Sequence, residues 1–162
     1  MTVTVVVGNP RPASRTLAAA ITVATDIRGV TPDNVLDLAS LGPKLFDYTD
    51  VDVDGAVNVV RQSDLVVVAS PVYKATYTGL LKLFLERFGA GELRGVVAIP
   101  VLVGAAHNHA LAVETHLRPL LVEIGFSTPT RGLFLIDSSG TESDAYQEWL
   151  VGARAQLSGT AG

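Results

Sequence analysis

Val3-Thr4-Val5-Val6-Val7 runs directly into Gly8-Asn9-Pro10-Arg11-Pro12-Ala13-Ser14-Arg15-Thr16, and this junction decides the fold. Five consecutive β-branched residues suit a strand covered on both faces. The glycine and prolines that follow end the strand, and Ser14 is a good N-cap for the helical pattern that continues to about residue 25. A strand, a short polar loop and a helix in succession form the opening unit of an α/β chain.

The unit recurs. Apolar runs at residues 2–7, 34–38, 65–70, 96–103 and 131–136 are each followed by a segment of helical pattern. Helices are expected at 14–25, 53–62, 76–88, 108–124 and from 141 onward, and the longest loop at 39–52. Five strands joined by single helical crossovers fit a doubly wound five-stranded parallel sheet of order 2-1-3-4-5, with helices on both faces. The chain reverses between strands 1 and 3, where such sheets bind ligands. The loops after strands 1 and 3 should therefore line one crevice, with the loop after strand 4 beside it.

With 162 residues, 48% hydrophobic and 17% charged, the chain is long and apolar enough for one compact domain over residues 1–162, with a tail at 158–162 expected to fray. The longest apolar run, residues 96–106, is interrupted by Pro100 and Gly104 and falls well short of the roughly 20 residues of a membrane span. A net charge of -4 supplies no field for nucleic acid or an anionic membrane. The absence of cysteine excludes disulfides, iron–sulfur clusters and thiol catalysis. The first residues do not form a basic and then apolar leader, so the cytoplasm is the expected location.

Three loops carry the candidate chemistry. In the first, the helix N-terminus, two hydroxyls (Ser14, Thr16) and two arginines (Arg11, Arg15) suit a phosphomonoester. There is neither Gly-x-Gly-x-x-Gly for a dinucleotide nor Gly-Lys-Ser/Thr for a nucleoside triphosphate. A Pro-rich turn capped by Ser14 with solvated arginines is the competing reading. In the second, Ser70-Pro71-Val72-Tyr73-Lys74-Ala75-Thr76-Tyr77-Thr78-Gly79, the N–H groups of Val72, Tyr73 and Lys74 are expected to be free for the polar edge of a flat heterocycle. Tyr73 and Tyr77 offer stacking surface, or pack on each other. In the third, Val103-Gly104-Ala105-Ala106-His107-Asn108-His109, small residues admit a planar ligand. Capping or solvated histidines fit better than a metal site, since no carboxylate or thiolate stands at ligand spacing.

Together these residues resemble the NAD(P)H-dependent FMN reductases of flavodoxin-like fold, and among them the flavin reductases of two-component alkanesulfonate-type monooxygenases. The resemblance rests on Gly8-Asn9-Pro10-Arg11 with Ser14-Arg15, on Pro71 to Lys82, and on His109 to Glu114 leading to Leu117-Arg118-Pro119-Leu120-Leu121. It implies that Arg11, Ser14 and Thr16 contact the FMN phosphate, that Pro71, Val72, Tyr73 and Lys74 border the isoalloxazine, and that Gly104 and Ala105 lie near the ring. Asn9, Arg15 and Tyr77 complete the expected cofactor site. The implied reaction is hydride transfer from NADPH or NADH to flavin N5 with no protein nucleophile. A partner monooxygenase would take the reduced FMN, and a homodimer or homotetramer is implied. Asn9 departs from the family's usual Ser, and Ala105 from a common second glycine. A flavoprotein with tightly held FMN that reduces quinones or azo compounds, and a flavodoxin-type electron carrier, are the alternatives. Arg11, Arg15 and Lys74 are the candidates for a 2'-phosphate clamp, which leaves NADPH and NADH unseparated.

Pro119 sits inside the fourth helical pattern, where it cannot donate to Thr115 and crowds that turn. A kink or π-bulge is expected near residues 114–116. Similar two-component reductases carry an extra aromatic residue here that helps flavin leave, and Thr115 and His116 correspond to it. His116 is expected to take that role across a subunit interface, with an exposed helical histidine beside a proline kink as the competing reading.

Overall fold

The computed structural model describes residues 1–159. In chain order the elements are β1 (Val3–Val7), α1 (Arg15–Arg28), β2 (Asn34–Asp37), α2 (Val51–Arg61), β3 (Leu65–Pro71), α3 (Gly79–Leu85), β4 (Val97–Gly104), α4 (Arg118–Glu123), β5 (Leu133–Ile136) and α5 (Asp144–Ser158). All four strand pairs are parallel, in the order β2-β1-β3-β4-β5 expected from the sequence.

Alternation along the strands feeds two cores. Val3, Val5 and Val7 join Val67, Ile99 and Val101 against Ala20, Val23 and Ala24 of α1 and Trp149 and Leu150 of α5. On the opposite face Val6, Val66, Val68 and Leu102 meet Val53 and Val57 of α2, Leu81 and Phe84 of α3, and Leu121 of α4. Each fully buried aliphatic side chain contributes about 1.5–3 kcal/mol over an exposed one. A one-residue slip would exchange the two faces, so burial fixes the register. The buried polar residue in β1, Thr4, is satisfied: its hydroxyl meets Ser63 Oγ at 2.7 Å, and Asn34 Nδ2 donates to it at 3.2 Å.

Pro100 lies in β4 between two neighbouring strands. The Val97 N–H donates toward β3, to Asp64 O, and the Ala98 N–H donates to Ser127 O on the other side. By alternation the nitrogen of Pro100 faces that other side, between the bridge at Ser127 and the β5 pairing that starts at Val101. The missing donor falls in a gap of the ladder, where it costs little.

Several boundaries differ from expectation for local reasons. Leu38 leaves β2 to open a short 3-10 turn (Leu38–Ser40), and a second turn (Gly42–Phe46) occupies the loop expected at 39–52. Helix α2 starts at Val51 because Asp50 Oδ1 accepts from the N–H groups of Asp52 and Val53. Strand β5 starts two residues late, and α5 starts at Asp144 after a 3-10 turn (Gly140–Glu142). That helix runs through Ser158, and residues 160–162 of the expected frayed tail lie outside the described residues.

Helix α3 starts at Gly79, three residues after the expected start at residue 76. Tyr73 and Thr76 exchange backbone hydrogen bonds of 2.9 and 3.3 Å, closing a two-residue turn. Lys74 and Ala75 inside it have φ of 52° and 69°, a left-handed pair that hairpin turns favour and non-glycine residues resist. The Thr78 hydroxyl then caps the helix and donates to Gly8 O at 2.5 Å.

The fourth helical segment is broken as Pro119 requires. A 3-10 turn (His107–His109) leads to a π turn (Val113–Leu117) and then to α4. The Arg118 N–H reaches back five residues to Val113 O. Glu114 anchors the wide turn: it accepts from Arg118 Nε at 2.5 Å and from the Gly132 N–H at 2.6 Å, while Arg118 also donates to Thr128 O and Thr130 O.

Hydrogen bonds from Arg118, followed by the one from Gly132, hold the Glu114 carboxyl below its ordinary value of 4.5, against the opposing effect of partial burial. The folded chain binds this proton less tightly than the unfolded one. The stabilisation is therefore present above the ordinary value and is lost as pH falls through the depressed one. Glu114→Gln is expected to lower the melting temperature at neutral pH and to flatten its decline below about pH 4.5. Thermal melts across that range check this, and an unchanged acid limb would refute it.

Gly8, at the end of β1, has no room for a side chain. A Cβ there would sit 2.3 Å from Leu81 Cβ and 2.8 Å from Leu81 Cα. Gly8→Ala must push α3 off the sheet, at a cost of about 1–3 kcal/mol in urea unfolding. Wild-type stability in that variant would contradict the packing described.

Candidate functional site

Three chain segments leave the C-terminal edge of the sheet around one cleft of ≈ 500 Å³. From β1 come Asn9, Arg11, Pro12, Ala13, Ser14, Arg15 and Thr16; from β3, Pro71, Val72 and Tyr73; from β4, Val103, Gly104 and Ala105. Asp137, one residue past β5, closes the fourth side.

The loop after β1 is held by acceptors that the sequence places far apart. Asn9, buried, accepts from the Arg11 N–H at 3.0 Å and donates through Nδ2 to Thr16 Oγ1 at 3.2 Å. Asp37, at the end of β2, accepts from the Ala13 N–H at 3.0 Å, which fixes Ala13 at φ 51°. Ser14 caps α1 by accepting from the Leu17 N–H at 3.2 Å. The N–H groups of Ser14, Arg15 and Thr16 have no partner among the described residues, and neither does the Arg11 guanidinium. Those donors and the positive end of α1 converge on one wall of the cleft, an arrangement suited to an anion. Arg15 is engaged: its Nη2 lies 2.5 Å from Asp137 Oδ2.

The β3 segment corrects one expectation. The Val72 N–H donates to Val103 O at 2.8 Å and the Tyr73 N–H to Thr76 O at 2.9 Å. Neither is free, because the ladder to β4 and the tight turn use them. Inside the turn, the N–H groups of Lys74 and Ala75 have no partner among the described residues. Lys74 itself stands exposed at the turn tip, outside the cleft lining, and the Tyr73 ring is exposed at the rim. Tyr77 is half-buried against the α3-side core, also outside the lining. It does not pair with Tyr73 on a helix, because the two lie on opposite sides of the turn.

Gly104 lines the cleft for a reason the sequence did not disclose. A Cβ at this position would lie 2.6 Å from Phe134 Cζ, so close packing of β4 on a β5 side chain demands the glycine. His107 and Asn108 are exposed beside the cleft. His116 is exposed in the π turn and does not line the cleft. The sequence reading missed Asp37 and Asp137; a carboxylate at the C-terminal end of a strand beside the switch point was the available signal.

The chain is 31% identical over 113 residues to "FMN reductase (NADPH)" of Escherichia coli, covering 70% of this chain and 55% of that protein. It is 35% identical over 88 residues to "NADH-dependent FMN reductase SfnF" of Pseudomonas putida, covering 54% and 47%. The chain thus spans about half the length of these curated relatives. The apo crystal structure of an NADH:FMN oxidoreductase (EMOB) superposes with a TM-score of 0.86 at 28% identity, covering 97% of this chain and 89% of that one. The model of the NADPH-dependent FMN reductase family matches residues 1–141, a span that includes every strand and all three cleft loops, and the chain belongs to that family.

Proposed function

We propose that this protein is an NAD(P)H:FMN oxidoreductase whose cleft binds FMN through the loop after β1. The observation that carries the reading is the continuity of one cleft from an anion cradle to a gap between two loops. A volume of ≈ 500 Å³ falls within the range of small-molecule pockets. The residues present fit the group: the donors left unpaired are those a phosphomonoester would use, and the other end is lined by Pro71, Val72, Tyr73, Val103, Gly104 and Ala105.

In this reading Arg11, the hydroxyls of Ser14 and Thr16 and the N–H groups of 14–16 hold the phosphate. Asn9 acts one step back. By donating to Thr16 Oγ1 it leaves the hydroxyl proton of Thr16 for the ligand. Pro71, Val72 and Tyr73 border one side of the ring and Gly104 and Ala105 another. Bound flavin would supply the two-electron acceptor, taking hydride from the nicotinamide at N5. The protein orients the two rings and excludes water, and it needs no nucleophile.

The reading extends to a cytoplasmic homo-oligomer that passes reduced FMN to a monooxygenase. The exposed π turn, with His116 at an intersubunit contact, would assist flavin release. His116→Ala should then change oligomeric state or slow FMN exchange in stopped flow, and neither changing would remove His116 from the mechanism.

The central test is oxidation of NADPH and of NADH with and without added FMN. FMN-dependent turnover is expected. No oxidation of either nucleotide with FMN present would overturn the reading in favour of an electron carrier. Arg11→Ala should weaken FMN binding by about 10–100-fold, the loss of one charge-assisted phosphate contact, and leave riboflavin binding unchanged. Unchanged FMN affinity would show that the cradle had been misassigned.

A further inference from the structure

The Arg15–Asp137 pair stands where two clefts meet. Both residues line the large cleft, and both line a second one of ≈ 260 Å³ that continues along α1. This annex is rich in hydroxyls, among them Thr22, Ser139 and Thr141. The ion pair is the partition between the two spaces. Its backbones are fixed, since Arg15 is the first residue of α1 and the Asp137 N–H extends the β4–β5 ladder by donating to Gly104 O at 2.9 Å, while the Arg15 side chain itself is 80% exposed. The Ser139 N–H donates to Ile136 O at 3.1 Å and closes the turn after it.

Two consequences follow for an anion in the cradle. Asp137 neutralises Arg15, which leaves Arg11 as the cradle's unpaired cation among the described residues. Because both residues line both clefts, a ligand that ran from the cradle into the annex would pass this pair. A second phosphate on that path would have to compete with the Asp137 carboxylate for Arg15, an element that acts against the wrong ligand.

We propose that Asp137, through its pair with Arg15, is a specificity determinant that restricts the cradle to a terminal phosphomonoester and rejects a pyrophosphate-linked flavin. FMN is accepted and FAD excluded, and the annex is the space the adenylate part would enter if the partition were open. This rests on the cradle being the FMN phosphate site.

The test is fluorescence titration of wild type, Asp137→Ala and Asp137→Asn with FMN, FAD and riboflavin. Wild type should prefer FMN over FAD by about tenfold or more. Asp137→Ala, which removes the carboxylate and releases Arg15, should reduce that preference by about fivefold or more, chiefly through tighter FAD binding. Asp137→Asn, which keeps the size and frees Arg15, should reduce it in the same direction. Riboflavin affinity should not move in either variant, and an unaltered melting temperature certifies the fold. An unchanged FMN-to-FAD ratio, or equal losses for both ligands, overturns the proposal while leaving the cradle intact. Wild-type affinity for riboflavin equal to that for FMN would overturn the cradle reading and this proposal with it.

Discussion

One buried hydroxyl, that of Thr78, joins the two halves of the sheet where the chain reverses direction. It donates to Gly8 O at the end of β1 and accepts from the Leu81 N–H in the first turn of α3. The Thr78 N–H donates to Ser70 Oγ, which in turn donates to Pro71 O at the end of β3. Thr78 and Ser70 are both buried, so an unmade bond here would cost the full desolvation of a polar group. The ends of β1 and β3 and the start of α3 are thereby locked into one arrangement. The facing of the two loops that makes the cleft follows from it.

The cradle extends the same logic to the surface. A loop with several unpaired N–H groups is ordinarily floppy, and ordering it on binding would subtract from affinity. Here Asn9 and Asp37 take up the N–H groups of Arg11 and Ala13, while Ser14 takes that of Leu17. The donors of residues 14–16 remain pointed at one place. The left-handed Ala13 is part of that cost, of order 1–3 kcal/mol, and it is sustained by the Asp37 carboxylate.

What the sequence disclosed and what it concealed divide along a physical line. Local patterns were legible: the β-branched runs, the Ser14 cap and the strand order that follows from right-handed crossovers all stand in the structure. Ten of the twelve residues proposed for the site line one cleft. The start of α3 was hidden because Lys74 and Ala75 adopt a turn that sequences normally announce with glycine or asparagine. Asp37 and Asp137 were hidden because their partners, Ala13 and Arg15, are distant along the chain. Gly104 was visible as a glycine, but the Phe134 ring that requires it belongs to another strand.

The π turn shows how a local signal and a distant one combine. Pro119 explains why the segment cannot continue as a regular helix, yet a proline alone is as compatible with a simple kink or a helix end. The difference is made on the inner side. Glu114 and Arg118 both bind backbone of residues 128–132, and Gly132 packs so tightly that a Cβ would come within 2.7 Å of Val113 Cγ2. With Val113 and Leu117 also buried, the inner face is tied at every turn, and the surplus residue must be carried outside. Thr115 and His116 are exposed for that reason, and the Thr115 hydroxyl donates back to Leu111 O at 3.0 Å. The His116 side chain, without a partner among the described residues, is therefore free to be shaped by whatever meets this surface, while the shape of the turn belongs to the residues beneath.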